Sequence, residues 1–470
     1  MSLTMREFGF FLRNDIISFI ERAFAELNPQ TRLILCAHIF VIAAKLEACR
    51  RGEIRRLIIN LPPRSLKSHI VSVAFPAFLL GHDPSAQIIC ASYGQDLADK
   101  LARDSRTIMT SAFYRLCFPG TVLSPEKLAV SDFMTTKQGF RMATSVGGVL
   151  TGRGGDLIII DDPLKPEDAL SETKRKAAND WFDHTLRSRL NSKEHGVIIV
   201  VKQRLHEDDL VGHVREQEDW DVVSFPAIAE EDEFHQYETF YGQREFRRKK
   251  GEALQPEREG LEILAAIRKS INEYNFVSQY QQNPMPLEGI MVKAEWLLRY
   301  DQLPERFTMV LQSWDTANKS GELNDYSVCT TWGVFEQKFY LLHVHRDRLI
   351  YPDLKRKVRE LSDRHNPNTV LIEDKASGTQ LIADLKRDGM FSVCGYEPPT
   401  GTDKIMRLNA QTAEIANGRL LLPSSAPWLD EYIRELTSFP GSKYDDQVDS
   451  TTQALDYLRC NDRLSVWSRL

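Results

Sequence analysis

Residues 57–72 of the 470-residue chain read LIINLPPRSLKSHIVS. An apolar, β-branched run is followed by a short loop, by a Lys-Ser pair at positions 67 and 68, and by a second apolar stretch. This order predicts a buried strand, a loop and a helix whose first amide groups can face phosphate oxygens. The lysine can reach the phosphates, and the serine hydroxyl can coordinate Mg²⁺. The segment therefore indicates a phosphate-binding loop.

The loop departs from the strict pattern GxxxxGK[ST], because Leu61 and Leu66 stand where that pattern has glycine. A Lys-Ser pair that opens a helix can also be a simple capping arrangement, and the dipeptide alone favours that interpretation. A second segment, LIIIDD at 157–162, favours nucleotide binding, because a buried strand there ends in two acids. P-loop ATPases hold Mg²⁺ with an acid at such a strand end, and a second acid often orients the attacking water.

Four short apolar runs lie in the first half of the chain, at residues 57–60, 87–91, 157–160 and 197–201. Runs of this length with polar ends are typical of strands that are buried on both faces of a parallel sheet. We therefore predict an α/β P-loop NTPase domain over residues 51–225. Apolar residues at helical spacing predict a helical lead over residues 1–50.

Composition changes at about residue 226, and residues 229–259 are dense in charge and poor in aliphatic side chains. We expect residues 226–304 to form a bridging region. From residue 305 onward, three strand-like runs are followed by alternating helices and strands. This order predicts a second, mixed α/β domain over residues 305–470.

Acidic residues in the second half stand at strand ends and at the start of a helix. Asp315 ends the run LQSWD, Glu373 ends VLIE, and the helix start KYDDQVDS holds Asp445, Asp446 and Asp449. Carboxylates from separate elements can converge on two Mg²⁺ ions that clamp a phosphodiester, and oxygen ligands suit Mg²⁺ or Mn²⁺. The order of these acids along the chain is that of a ribonuclease H-like nuclease. Stabilisation of the helix dipole would explain Asp445 or Asp446 without catalysis, but it does not explain Asp315 and Glu373 at the ends of apolar strands.

Composition excludes several classes of protein. The formal charge of −6 argues against nucleic-acid binding through overall basicity, but not against a local basic groove. Seven cysteines without a CxxC pair argue against a disulfide framework or a zinc ribbon. Because no apolar run reaches about 18 residues and no signal peptide is evident, we expect a soluble intracellular protein without membrane contact.

With both halves considered, the sequence resembles the large terminase subunit of tailed bacteriophages and prophages. The resemblance implies a packaging ATPase coupled to a ribonuclease H-like endonuclease, with ATP and Mg²⁺ as cofactors and Mn²⁺ as an alternative in the nuclease. The matching segments lie in the family's order, from about residue 40 to 460: LIINLPPRSLKS, TGRGGDLIIIDDP, IIVVKQRLHEDDLVGH, SQYQQNPMP, SWDTA, NDYSVCTTWGV, VLIEDKASGTQLIADL and KYDDQVDSTTQAL.

The resemblance also implies roles for individual residues. Those at the nucleotide are Arg64, as a cis arginine finger, with Ser65, Lys67, Ser68, Asp161, Gln203 and Arg204, the last two coupling hydrolysis to movement. Asp162 stands where the family usually has a catalytic carboxylate, often Glu. In the nuclease, the implied metal ligands are Asp315, Glu373 and Asp446. Asp445 and Asp449 remain alternatives to Asp446.

The partners that the resemblance implies are double-stranded DNA, the procapsid portal and the small terminase subunit, with a homo-oligomer on the portal. The implied location is the host bacterial cytoplasm, transiently at the portal. Two alternatives remain: a helicase or remodelling translocase with a decayed nuclease domain, and a non-enzymatic DNA-binding or scaffold protein.

Overall fold

The computed structural model describes residues 4–148, 150, 152–271, 273–285, 291–316, 326–375, 377–442 and 444–467. It divides into two compact units. The first comprises the chain up to Arg268 together with Asn275–Met285, and the second comprises Lys269–Tyr274 together with the chain from Pro286 onward. Within the described ranges, no helix is long and apolar enough to cross a membrane.

The first unit is built on a large sheet, which has eight strands in the described part of the chain. Numbered in chain order, the strands lie in the order 3-4-5-2-6-7-1-8 across the sheet. The neighbouring pairs 5-2, 2-6, 6-7, 7-1 and 1-8 are all parallel. The remaining two strands pair antiparallel at one edge. In chain order the strands are β1 (Arg56–Asn60), β2 (Gln87–Ser92), β3 (Leu123–Leu128), β4 (Asp132–Thr135), β5 (Phe140–Ser145), β6 (Leu157–Asp161), β7 (Val197–Lys202) and β8 (Asp221–Ser224).

The central strands are buried on both faces, as the apolar runs predicted. Leu57 and Ile59 of β1 face one hydrophobic core, whereas Ile58 between them faces the other. Ile159 and Ile160 of β6 are divided between the two cores in the same way. Successive side chains of a strand point to opposite faces, so a continuous apolar run supplies both cores at once. The predicted parallel α/β architecture is therefore confirmed.

Helices cover this sheet, and the first three account for the predicted helical lead. Helix α1 begins after Thr4, whose hydroxyl accepts from the Glu7 amide at 3.3 Å while the Glu7 carboxylate accepts from the Thr4 amide at 2.8 Å. The helices are α1 (Met5–Asn14), α2 (Ile16–Leu27), α3 (Ala37–Arg50), α4 (Phe75–His82), α5 (Gln95–Thr110), α6 (Ala112–Cys117), α7 (Glu172–Trp181) and α8 (Leu210–Arg215), with helical turns at His69–Ala74, Pro166–Asp168, Phe182–Leu186 and Arg187–Arg189.

The predicted bridging region, residues 226–304, is shared between the two units and is not a body of its own. Its charge-dense part forms an antiparallel pair in the first unit, β9 (Glu233–Thr239) and β10 (Gly242–Arg248). Aromatic contacts hold this pair to the unit, because the rings of His235 and Phe246 lie 4.9 and 6.0 Å from that of Phe225. The remaining elements of the region are α9 (Leu261–Ile271), α10 (Glu273–Asn275), turns at Phe276–Tyr280 and Ala294–Trp296, and β11 (Leu298–Tyr300).

The second unit has a mixed sheet of seven strands in its described part, in the order 11-17-14-13-12-15-16. Strands 12, 13 and 14 correspond to the three predicted strand-like runs and form an antiparallel meander, and strands 12, 15 and 16 run parallel. The further strands are β12 (Met309–Asp315), β13 (Ser327–Phe335), β14 (Lys338–Asp347), β15 (Thr369–Glu373), β16 (Val393–Tyr396) and β17 (Leu420–Pro423). The helices are α11 (Tyr351–His365), α12 (Ser377–Arg387), α13 (Lys404–Asn409), α14 (Thr412–Ala416), α15 (Leu429–Ser438) and α16 (Asp446–Trp467).

Candidate functional site

The first candidate site lies at the carboxyl edge of the parallel sheet in the first unit. Strand β7 pairs with β1 on one side and with β6 on the other, and all three run in the same direction. The loop after β1, the acids at the end of β6 and the residues after β7 are therefore neighbours in space. This is the edge at which open α/β sheets bind ligands.

The loop after β1 turns through two residues with positive φ angles although it has no glycine. Arg64 and Leu66 have φ angles of +59° and +62°, in the left-handed region that favours glycine. Leu66 is the position at which the strict pattern has its second glycine. Ser65 between them is buried. The loop thus keeps the conformation that a glycine would supply, and a leucine adopts it instead.

Asp161, the last residue of β6, is fixed by two serines that follow the loop. The Ser72 hydroxyl donates to one carboxylate oxygen at 2.6 Å, and the Ser68 hydroxyl donates to the other at 3.1 Å. Burial raises the pKa of Asp161 to about 7, and the neighbouring carboxylate of Asp162 adds to the rise, whereas the hydrogen bond from Ser72 and the charge of Lys67 oppose it. A carboxylate beside a serine hydroxyl fits the Mg²⁺ of a bound nucleotide.

Lys67 and Asp162 form an ion pair at this edge. The Lys67 ammonium lies 3.0 Å from a carboxylate oxygen of Asp162, and both side chains are largely withdrawn from solvent. The other oxygen of Asp162 accepts from the Gln203 amide at 3.3 Å, which ties it to the end of β7. The predicted lysine, the second acid and the β7 end are therefore brought together.

Arg64 stands apart from this group. Its side chain is exposed, and its backbone carbonyl accepts a hydrogen bond from the guanidinium of Arg258. The role of arginine finger remains a prediction for this residue.

The second candidate site lies at one edge of the sheet in the second unit. Strands β12 and β15 are parallel neighbours, with Trp314 opposite Ile372, so that Asp315 and Glu373 end at the same edge. Buried polar contacts fix α16 against these strands. Ser313 and Ser450 exchange two hydrogen bonds of 2.7 and 2.8 Å. The helix acids are thereby held next to the strand-end acids.

The charges at this edge act on one another. Burial raises the pKa of Asp315 well above its usual value, and the carboxylates of Asp449, Glu373 and Asp446 raise it further. Burial raises the pKa of Asp446 to about 6, with the charge of Asp445 as the next cause. Carboxylates that raise one another's pKa in this way form the kind of cluster in which a divalent cation can replace a proton.

Two cations from α13 neutralise part of this cluster. The Lys404 ammonium lies 2.7 Å from Asp445 and 2.6 Å from Asp449, and the Arg407 guanidinium lies 2.9 Å from Asp449. Asp446 faces a more distant cation, the guanidinium of Arg346 at 3.9 Å. Oxygen ligands of this kind fit Mg²⁺ or Mn²⁺. In the part of the chain that the structure describes, however, no three His, Cys, Asp or Glu side chains are already arranged as a set of metal ligands.

Known proteins resemble this chain in sequence and in fold. Residues 312–458 match the family model described as the terminase RNaseH-like domain. The large terminase of a thermophilic bacteriophage is similar over 90% of this chain and 99% of that chain, with a TM-score of 0.53 at 10% identity. The chain has the fold of a phage large terminase. The same phage protein in complex with ATP-gamma-S gives a TM-score of 0.51 over the same shares at 10% identity. No protein with a curated description matches the sequence.

The first unit also contains a buried charged group that was not predicted. Asp209 is almost completely buried, and its carboxylate lies 3.0 Å from both the Lys202 ammonium and the Arg204 guanidinium. It also accepts from the amides of Val211 and Gly212, at 2.9 and 3.2 Å, and so caps α8. Burial acts to raise the pKa of Asp209, but the two cations outweigh it and lower the pKa. An acid directly before an apolar run is the one sequence signal that could have revealed it.

Asp209 fixes the side chain of Arg204 at the end of β7. The Arg204 side chain is occupied by Asp209, and its backbone amide donates to the Gln282 side chain at 2.9 Å. The predicted coupling residue is therefore a link between the end of β7 and residues near 282. Contact of Arg204 with nucleotide stays a prediction.

Proposed function

We propose that the protein is the catalytic subunit of a viral DNA-packaging machine. It hydrolyses ATP to move double-stranded DNA into a procapsid, and it cleaves concatemeric DNA by a metal-dependent reaction. The observation that carries the proposal is the presence of two acid sites, one beside a phosphate-binding loop and one in a terminase RNaseH-like domain, within a single large-terminase fold.

In the ATPase site, Lys67 would exchange its ion pair with Asp162 for the phosphates of ATP. Asp162 is then available to orient the attacking water, as the second acid of such sites does. Bound Mg²⁺ would supply charge neutralisation of the phosphates, and Ser68 and Asp161 are the residues that would hold it. The thermophilic phage terminase determined with ATP-gamma-S supports an ATP-type ligand.

In the nuclease site, we propose Asp315, Glu373 and Asp446 as the metal ligands. Asp445 and Asp449 are neutralised by close ion pairs with the cations of α13, whereas the ion pair of Asp446 with Arg346 is longer, at 3.9 Å. Neither Asp315 nor Glu373 forms an ion pair with a described residue. Two bound divalent cations would supply the clamp on the scissile phosphodiester. The protein's contribution is the rigid placement of the acids by β12, β15 and α16.

We further propose an ATPase domain over residues 51–225 with a helical lead, and a nuclease domain over residues 305–470. The proposed partners are double-stranded DNA, the portal and the small terminase subunit, with assembly as an oligomer on the portal in the cytoplasm of the host. These proposals rest on the resemblance to large terminases and on the fold.

The test is a pair of reciprocal variants, assayed for ATP hydrolysis and for plasmid cleavage on the same preparation. Lys67→Ala should lower ATP turnover by roughly 100-fold or more and keep metal-dependent cleavage, because only the phosphate contact is lost. Asp315→Asn should abolish cleavage and keep ATP turnover.

Lys100→Ala and Asp353→Asn are the controls, since both residues are in ion pairs on the surface of helices. Unchanged ATP turnover in Lys67→Ala would refute the assignment of residues 61–68 as a phosphate-binding loop. Plasmid cleavage by the Asp315→Asn variant would refute the proposed nuclease site.

A further inference from the structure

An arginine and tyrosine cluster lies beside the nuclease acids, at the same edge of the second sheet. Asp315 of β12 is opposite Val328 of β13, which is opposite Arg346 of β14. Strands β12 and β14 are both antiparallel to β13, so they end at the same edge. Residues that follow β14 therefore emerge next to the acid site, on the side away from β15.

Arg346 is the inner member of this cluster, and its charge is compensated by nearby carboxylates. Its guanidinium carbon lies 4.0 Å from the centre of the Tyr326 ring and 4.9 Å from that of Tyr444. The same guanidinium faces Glu435 at 3.8 Å and Asp446 at 3.9 Å, and it forms a short ion pair with Glu431. Arg346 is largely buried by these neighbours, and it connects the cluster to the proposed metal ligand Asp446.

Arg348 is the outer member of the cluster, and its charge is accessible to a ligand. Its guanidinium carbon lies 4.5 Å from the centre of the same Tyr326 ring, and the residue is exposed. Among the residues that the structure describes, no carboxylate forms an ion pair with it. The nearby Asp347 carboxylate accepts a hydrogen bond from the backbone amide of Arg348, at 2.8 Å. An aromatic face orients this guanidinium while its N–H groups stay available.

We propose that Arg348, oriented by Tyr326, is a binding site for a DNA backbone phosphate next to the scissile bond. The proposal rests on the proposed nuclease function of this unit. The carboxylates at this edge that the cations of α13 do not neutralise repel a DNA strand, and the chain as a whole carries a formal charge of −6. A cation beside the acids gives the strand a local anchor. Because the ligand is a phosphate, the contact adds affinity without reading sequence.

The experiment measures binding of the full-length protein to a fluorescent DNA duplex by anisotropy, over a series of salt concentrations, with Ca²⁺ in place of Mg²⁺ to prevent cleavage. Arg348→Gln should weaken binding several-fold for two unrelated duplex sequences alike. It should also reduce the slope of log K against log salt by roughly 0.9, the value for one lost phosphate contact. Arg348→Lys should keep the slope, because the charge remains.

Arg356→Gln is the matched control, since Arg356 is also exposed in this unit but pairs with Asp353 at 2.8 Å. In Mg²⁺, Arg348→Gln should raise the DNA concentration for half-maximal cleavage and leave ATP turnover unchanged. An affinity and salt slope equal to those of Arg356→Gln would overturn the proposal. If the wild-type protein does not cleave DNA at all, the proposed nuclease function fails, and that result is distinct from a wild-type-like Arg348→Gln in a protein that cleaves.

Discussion

Leu66 shows how a single residue can meet the requirement of a motif without matching its pattern. Its φ of +62° is the conformation for which the phosphate-binding loop normally uses glycine, and it costs a non-glycine residue about 1–2 kcal/mol. Part of that cost is offset by packing, because the Leu66 side chain packs against the hydrophobic core of the first unit. The motif GxxxxGK[ST] specifies glycine at this position, whereas phosphate binding by the loop requires only the backbone conformation.

Two substitutions at this position separate conformation from residue type. We expect Leu66→Gly to keep ATP turnover and to change the free energy of unfolding by less than about 1 kcal/mol, since relief of strain offsets the loss of packing. Leu66→Val should lose most ATP turnover, because a β-branched residue strongly resists a positive φ. ATP turnover and thermal unfolding of both variants are the measurements. Equal turnover in the two variants would show that the loop does not depend on this conformation.

At the scale of elements, the end of β7 is held by one buried acid. Asp209 joins Lys202 and Arg204 of that segment to the first turn of α8. Removal of a buried acid that pairs with two cations leaves both charges without compensation, which costs about 3–5 kcal/mol. The fold therefore depends on this group even though it lies outside the predicted site.

We expect Asp209→Ala to lower the free energy of unfolding by about 3–5 kcal/mol. The adjacent Asp208→Ala is the control and should change it by less than about 0.5 kcal/mol, because the Asp208 side chain is 72% exposed. Chemical unfolding followed by circular dichroism measures both. A loss of under about 1 kcal/mol in Asp209→Ala would mean that water replaces the buried contacts.

The strands that could be predicted are those whose own sequence carries a recognisable pattern. Strands β1, β2, β6 and β7 were predicted because each is a continuous apolar run. Strands β4 and β8 have only four residues each, and β9 alternates exposed and half-buried side chains within a charged sequence, so neither periodicity nor composition distinguished them from loop. Such strands obtain their structure from their neighbours in the sheet, which a sequence pattern does not contain.

The site residues likewise divide into those that could be predicted from the sequence and those that could not. Acids at strand ends could be predicted, because parallel strands bring their carboxyl ends to one edge. The partners of those acids could not: Lys404 and Arg407 approach the helix acids from about 40 residues earlier in the chain, and nothing local marks them. Our proposal of Asp446 in preference to Asp445 and Asp449 depends on these cations, which no sequence pattern contains.

At the scale of the whole molecule, each unit has hydrophobic cores of its own. The cores on the two faces of the first sheet are formed by residues up to Leu254, and the core that contains Trp314, Val358 and Leu381 is formed within the second unit. A net charge of −6 is compatible with DNA binding here, because bound divalent cations would offset the charge of the acids at the two candidate sites. Separate cores imply separately measurable stabilities.

Calorimetry should therefore resolve two unfolding transitions with different ligand responses. MgADP at about 100 times its dissociation constant adds roughly 2.7 kcal/mol to the state that binds it, and it should raise only one transition, by roughly 5 °C. Mn²⁺ in the absence of nucleotide should raise the other. Lys67→Ala should remove the first shift and Asp315→Asn the second, each without affecting its counterpart. A single transition that both ligands shift would show instead that the two units unfold as one body, since a ligand stabilises every part of a cooperative unit equally.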